Sequence, residues 1–372
     1  MGKSVHVQQE SLFTFDRNGC SRWAGIGVQL AREYALGRPL GPNFSSAKNE
    51  SKAVYGQATY SPDTFDGRLH LTLGARYSDE NRKVHRTNVN VNPQVIDAEY
   101  DKDFTNFNPS LTVAYDLTDN VNIYGKVMTG FKSGGTAMTS ANSALFAQGF
   151  DEEEVLSYEL GYKSILLDNT LRFNMAIFRT EMDGAQTSVI TGASPSARDF
   201  LPLDDNVFQG IEFDLEYQLS RSLRMAINYG YLDTETGSNF IDSVVGRTLL
   251  IDSFPYAPEH SFSASLNHDV ALSNGRLTSA LNYSYQDEVF SSVNVNDNST
   301  LPSYSLLGFS ATWADIKLGS LAGDFSVQIW GRNILDEEYA IVGTGSWQAF
   351  GAAQVDTFGD PRTYGVTLGY SF

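Results

Sequence analysis

The 372-residue chain has a single cysteine, Cys20, so no intrachain disulfide can form. It has no apolar run near the ~18–20 residues of a transmembrane helix, which excludes a helical membrane protein. Basic residues are few: 26 against 44 acidic, for a net charge of −18. That balance, with aromatics but no basic stripe, argues against a nucleic-acid partner. The five histidines (His6, His70, His85, His260 and His268) lack metal-ligand spacing. His260 and His268 lie on one strand, about 27 Å apart at ~3.4 Å per residue. No G-x-S-x-G, H-E-x-x-H or phosphate-binding glycine loop occurs. An enzyme reading therefore has no catalytic residue, metal or cofactor to rest on.

What is present is glycine (32), tyrosine (19) and phenylalanine (23), with 41% hydrophobic residues. The chain ends on RTYGVTLGYSF, in which Tyr364, Val366, Leu368, Tyr370 and Phe372 alternate with small or polar residues. A period of two sends alternate side chains to opposite faces of a strand. From Ala53 onward the same alternation recurs in pairs. The expected strands are Ala53–Tyr60 with Leu69–Ser78, Phe107–Leu117 with Val121–Lys132, Leu156–Ile165 with Leu171–Gln186, and Gln209–Leu219 with Leu223–Leu232. Ser261–Val270 pairs with Leu277–Val289 and Leu306–Ala314 with Phe325–Ile334; the terminal strand is the thirteenth. Ile211–Leu219 is the clearest, with Ile211, Phe213, Leu215, Tyr217 and Leu219 opposed to Glu212, Asp214, Glu216 and Gln218.

Alternation suits a soluble sandwich as well as a membrane wall, but strand length and loop asymmetry favour the wall. Strands of about nine to twelve residues match a tilted membrane crossing. Short turns alternate with long loops at 79–106, 133–155, 187–208, 233–260, 290–305 and 335–363. The expected fold class is all-β: an antiparallel transmembrane β-barrel with short periplasmic turns and long extracellular loops, comprising about 13–14 strands of a larger barrel. Residues 1–52 read as an irregular or helical lead-in, with Arg22, Ile26, Leu30 and Tyr34 at helical spacing and a break at GRPLGP. The start, MGKSVHVQQESLFTF, has no apolar core of a signal peptide, so an exported chain is expected to be incomplete or engineered there. Thirteen strands cannot close an antiparallel barrel without mismatch, so either the first fifty residues donate one more, such as Gly25–Ala35, or the sheet stays open; the expectation is a fragment marginal alone or one that needs upstream strands.

Residues alternating with the lipid face would line the lumen: Arg76, Lys126, Lys132, Glu159, Lys163, Glu212, Asp214, Glu216, Arg224 and Arg332. Their charges can orient a polar solute, or only solvate the wall and cross-pair between strands. Trp347, Phe350 and Phe358 in the last outer loop offer stacking surfaces for a ligand, or pack on the rim. The run Asp151, Glu152, Glu153, Glu154 reads as a solvated loop edge, not a cation site. VNVNDNST at 293–300 lacks the glycine and distal glutamate of a calcium loop.

Several segments in order carry a family resemblance: AVYGQATYSPDTFDGRLHLTLGARYSDE (53–80), EVLSYELGYKSILLDNTLRFNMAIFRTEMDG (154–184), YAPEHSFSASLNHDV (256–270), GRNILDEEYA (331–340) and the aromatic terminus. Over 53–372 the chain resembles the carboxyl-terminal part of the β-barrel of a TonB-dependent receptor. The resemblance implies an outer-membrane location in a Gram-negative bacterium and uptake of a scarce, bulky small molecule such as an iron–siderophore complex. It implies contact with outer-membrane lipid. It further implies that the TonB complex acts only through amino-terminal parts, plug and TonB box, that this sequence does not show. The terminal strand resembles the signal read by the barrel-assembly machinery, with Tyr364, Val366, Leu368, Tyr370 and Phe372 as its marks. Family barrels have about twenty-two strands. A passive pore and a soluble β-sandwich binding module remain as alternatives.

Overall fold

The computed structural model describes residues 43–88, 96–140, 142–190, 198–237, 240–242, 247–249, 254–291, 300–317, 323–347 and 353–371. Gly25–Ala35, Cys20, Phe350, Phe372 and most of 293–300 lie outside them.

One antiparallel sheet of thirteen strands dominates. Its members in order are β1 (Asn43–Tyr60), β2 (Leu69–Asn88), β3 (Ile96–Thr118), β4 (Val121–Lys132), β5 (Glu153–Leu166), β6 (Leu171–Asp183) and β9 (Asn206–Ser220). Then come β10 (Leu223–Glu235), β13 (His260–Leu272), β14 (Gly275–Gln286), β17 (Tyr304–Ile316), β18 (Asp324–Arg332) and β21 (Thr363–Ser371). The outer loops carry four separate hairpins: β7 (Ala185–Ile190) with β8 (Arg198–Leu203), β11 (Phe240–Asp242) with β12 (Arg247–Leu249), β15 (Val289–Phe290) with β16 (Thr300–Leu301), and β19 (Ala340–Trp347) with β20 (Ala353–Phe358). Helix α1 spans Ser143–Gln148.

Each of the thirteen expected strands is found, and each pairs with its sequence neighbours in the sheet. The turns between them suit their residues. Leu167, Asp168 and Asn169 take φ of 50°, 53° and 67° between β5 and β6, a left-handed path that Asp and Asn tolerate better than other non-glycine residues. β1 begins at Asn43, ten residues before the expected start at Ala53. The expected loop 79–106 is mostly strand, since β2 runs on to Asn88 and β3 starts at Ile96. The expected strand Leu171–Gln186 breaks at Gly184, whose φ of +69° ends β6 and lets β7 turn away.

Register fixes the two faces. Leu71, Val113, Leu73, Leu111, Val127, Leu160, Ile177 and Ile211 stand opposite one another on one face. Most of these side chains are bare, Leu73 being 63% exposed and Leu160 68%, as is Leu368 of the terminal strand at 76%. A water-soluble sandwich would bury such a face; a sheet that presents it outward does so to lipid.

Buried apolar residues gather instead at the loop end, with Ile316 the exception among the described residues. On β2 and β3 the apolar residues change faces there. Outward-facing Tyr77 and Phe107 are succeeded by outward Asp79, Asn81, Lys83 and by Asp101 and Asp103. Lys83 bonds Glu99 at 2.7 Å and Asp101 at 3.0 Å, and Asn81 donates to Asp101 and Asp103. Hydrogen bonds from Asn81 and Lys83 hold the Asp101 carboxyl below its ordinary pKa. On the opposite face Val84, Ala98, Tyr100 and Phe104 form a cluster with Phe146 of α1.

Candidate functional site

The inner face is a grid of polar rows. One runs Lys163, Asn174, Asp214, Asn228, Ser263 and Ser284 across six strands. Asn174 donates to Asp214 at 2.9 Å and Asn228 to Ser263 at 3.1 Å. An open hollow of about 680 Å³ lies over this row and the next, bounded also by Tyr124, Glu212, Gln286 and Tyr304. Tyr124 lies across Gly161, where a Cβ would overlap its ring, and donates to Glu159 at 2.6 Å. Lys163 sits 5.1 Å over the same ring, a cation–π contact. At the far wall Tyr304 packs tilted against Tyr339, ring centroids 4.7 Å apart, and reaches Gln286.

The expected lumen residues all take inner-face positions, but they do not form one cluster. Lys163, Glu212 and Asp214 share the hollow, and Glu159 joins it through Tyr124. Lys126 faces Glu159 in register, while that carboxylate takes the Tyr124 hydroxyl. Arg76 bonds Ser78 at 3.0 Å and lies over Tyr55. Glu216 is paired with Arg172 at 3.0 Å. Lys132 pairs with Glu153 at 3.1 Å at the outer rim. Arg332 lies 5.5 Å over Trp330 and borders a second hollow, of about 430 Å³, beside Asn333, Tyr339 and Asp360. Arg224 lines a third hollow near the short turns. Phe358 is exposed opposite Ala340, and Trp347 belongs to β19. Tyr124, Asn174, Asn228, Gln286 and Tyr304 are not among the expected lumen residues, although Tyr124 shares the parity of Lys126 on β4 and Asn228 that of Arg224 on β10.

The rim above this face is tightly built. Arg86 donates to the Met138 and Ser140 carbonyls at 3.0 and 2.6 Å and lies over Phe146. Gln186 donates from its side chain to the Ser133 and Asp151 carbonyls, each at 3.1 Å, and from its backbone to Glu153 at 2.7 Å. The acidic run is thus engaged: Asp151 with Lys102, Glu153 with Lys132, and Glu154 with Asn106. Burial, and then the Glu154 charge, raises the Glu152 carboxyl above its ordinary pKa. Burial pushes the Tyr100 phenol up to about 12. No cluster of potential metal ligands occurs among the described residues.

The GRNILDEEYA stretch is a turn built on one side chain. Asn333, at φ 45° and buried, donates to the Glu337 and Asp360 carbonyls at 2.8 and 3.2 Å and accepts from the Glu337 N–H at 2.9 Å. Asn333→Ala should cost about 2–3 kcal/mol by stranding these backbone groups. Denaturant titration checks this; a loss below about 0.5 kcal/mol would show the groups to be satisfied by water instead.

An apolar outer face, a polar inner face, short turns at one end and long packed loops at the other define the wall of an outer-membrane-type β-barrel. A family model described as TonB dependent receptor-like, beta-barrel, matches residues 6–334, and the chain belongs to that family, which comprises transport receptors and not enzymes. It is 26% identical over 201 residues to the metal-pseudopaline receptor CntO of Pseudomonas aeruginosa, covering 54% of this chain and 26% of that protein. The probable TonB-dependent siderophore receptor PiuA of Acinetobacter baumannii is 27% identical over 150 residues, 38% of this chain and 19% of PiuA. The fold matches the ferric yersiniabactin uptake receptor FyuA of Yersinia pestis with a TM-score of 0.71 at 18% identity, covering 89% of this chain and 47% of FyuA. The PiuA structure matches at 0.63 and 21% identity, covering 87% and 43%. The chain therefore spans about half the length of these solved receptors and about a quarter of CntO.

Proposed function

We propose that this chain, from β1 onward, is the wall and outer-loop part of an outer-membrane receptor that takes up a bulky metal chelate such as an iron–siderophore complex. The observation that carries this reading is the polar hollow holding Lys163, Glu212, Asp214, Tyr124 and Tyr304 beneath a packed set of outer loops. Its charged, aromatic and amide groups suit a large polar ligand with several acceptors. The receptor names among its relatives support the same substrate class. In this reading Gram-negative outer-membrane lipid surrounds the Leu160 face. TonB acts through amino-terminal parts absent from the described residues, and the barrel-assembly machinery reads the terminal strand.

Tryptophan-fluorescence titration of the detergent-solubilised protein with a panel of ferric hydroxamate, catecholate and carboxylate chelates tests it. One class should bind saturably, and Lys163→Gln with Asp214→Ala should weaken that binding at least tenfold. A steady open conductance in planar bilayers, with no saturable binding of any chelate, would establish the passive pore instead.

A further inference from the structure

We propose that Arg221 and Arg224 form an oxyanion site at the short-turn end of the inner face, for a small solute carrying two or more carboxylate, sulfonate or phosphate groups. The site is separate from the Lys163 hollow and does not depend on the uptake reading.

Arg221 lies in the two-residue turn between β9 and β10, and Arg224 is the second residue of β10. Both line an open hollow of about 380 Å³ with Gln218, Asn267, Thr278 and Ser310. In register Arg224 stands between Gln218 and Asn267, two neutral side chains. Neither guanidinium makes an ion pair or hydrogen bond among the described residues.

The contrast with the neighbouring arginines is chemical. Arg172 pairs with Glu216 at 3.0 Å on the same face. Asp269, the one carboxylate lining this hollow, is gripped side-on by Arg276, from Nε to Oδ1 at 2.6 Å and from Nη2 to Oδ2. Its charge is already matched. The hollow therefore keeps two uncompensated cations in a chain whose net charge is −18. Two guanidinium forks rimmed by amides and hydroxyls suit a planar or tetrahedral oxyanion, which guanidinium binds in a bidentate, charge-assisted way. The volume falls in the range of a small-molecule site and not of a folded partner.

Fluorescence anisotropy with 8-hydroxypyrene-1,3,6-trisulfonate, on the full chain in detergent micelles, tests the site. The dye should bind saturably, and citrate and inorganic phosphate should displace it. Arg221→Gln with Arg224→Gln should weaken binding at least tenfold, and Arg224→Lys alone by only a fewfold. Arg362→Gln removes the same charge at the other end of the sheet, and Lys163→Gln alters the other hollow; each should change affinity less than twofold. Heat-modifiable gel migration confirms that each variant is folded. Binding of the double variant within twofold of the parent would overturn the proposal. So would an equal loss in Arg362→Gln, which would mark the dye as sensing overall charge. Loss in Lys163→Gln with none in the arginine variants would move the anion to the other hollow and overturn it as well.

Discussion

Phe146→Ala should free the outer loops from the rim while leaving the sheet assembled. Phe146 is 1% exposed, against Val84, Ala98, Tyr100 and Phe104 on one side and the Arg86 guanidinium on the other. Helix α1 has only six residues, far below the length at which a helix persists alone. Its Asn142 cap, which accepts from Ala144 and Leu145, helps to start it, but tertiary packing must hold it. Deleting a fully buried phenylalanine costs about 3–5 kcal/mol, more than so short an element can absorb. Limited proteolysis should then cut within 133–152, and amide exchange there should approach that of an open chain. Heat-modifiable migration should be retained. Protection equal to the parent's would mean that Arg86 and Gln186 alone fasten the loop.

Leu160→Lys should block insertion, and Ala176→Lys at nearly the same depth should not. Leu160 belongs to the bare apolar face, in register with Gly125 and Ile177. Ala176 stands opposite Gly161 and Glu212 on the polar face, beside the row of Lys163, Asn174 and Asp214. A lysine facing lipid near the midplane costs about 2–4 kcal/mol, whereas one facing an aqueous interior costs little. Urea titration of the protein folded into vesicles reads the difference directly. Equal costs at the two positions would remove the distinction between faces on which the membrane assignment rests.

The sheet was legible because lipid and lumen impose a strict period of two. Ile211 to Leu219 alternate without a lapse, and the pairing found for β9 follows from them. Legibility fails where that constraint ends. Past Ser78 and before Asn106 the outward residues are polar or charged, so the segment reads as loop although its backbone remains paired. Its apolar residues, Val84, Tyr100 and Phe104, have moved to the inner side, where they meet Phe146. That partner lies far along the chain, and no local pattern announces it. Parity puts these charges on one face of the sheet, yet which of them share a hollow depends on stagger between strands. Lys163 and Asp214 line one hollow across β5, β6 and β9 because Asn174 stands between them in register. The role of Asn333 depends on its left-handed backbone, which sequence does not display.

The change of apolar face between Tyr77 and Val84 also governs how this hairpin can vary in length. Below it the ribbon is written for lipid, and above it for water outside and a packed loop within. Adding one residue to β2 in this stretch would turn every side chain beyond it to the wrong side, exposing Val84 and burying Lys83. Adding two would preserve both halves and raise the tip by about 7 Å. Extensions that survive should therefore come in even steps on each strand, giving the receptor a quantised reach above its membrane.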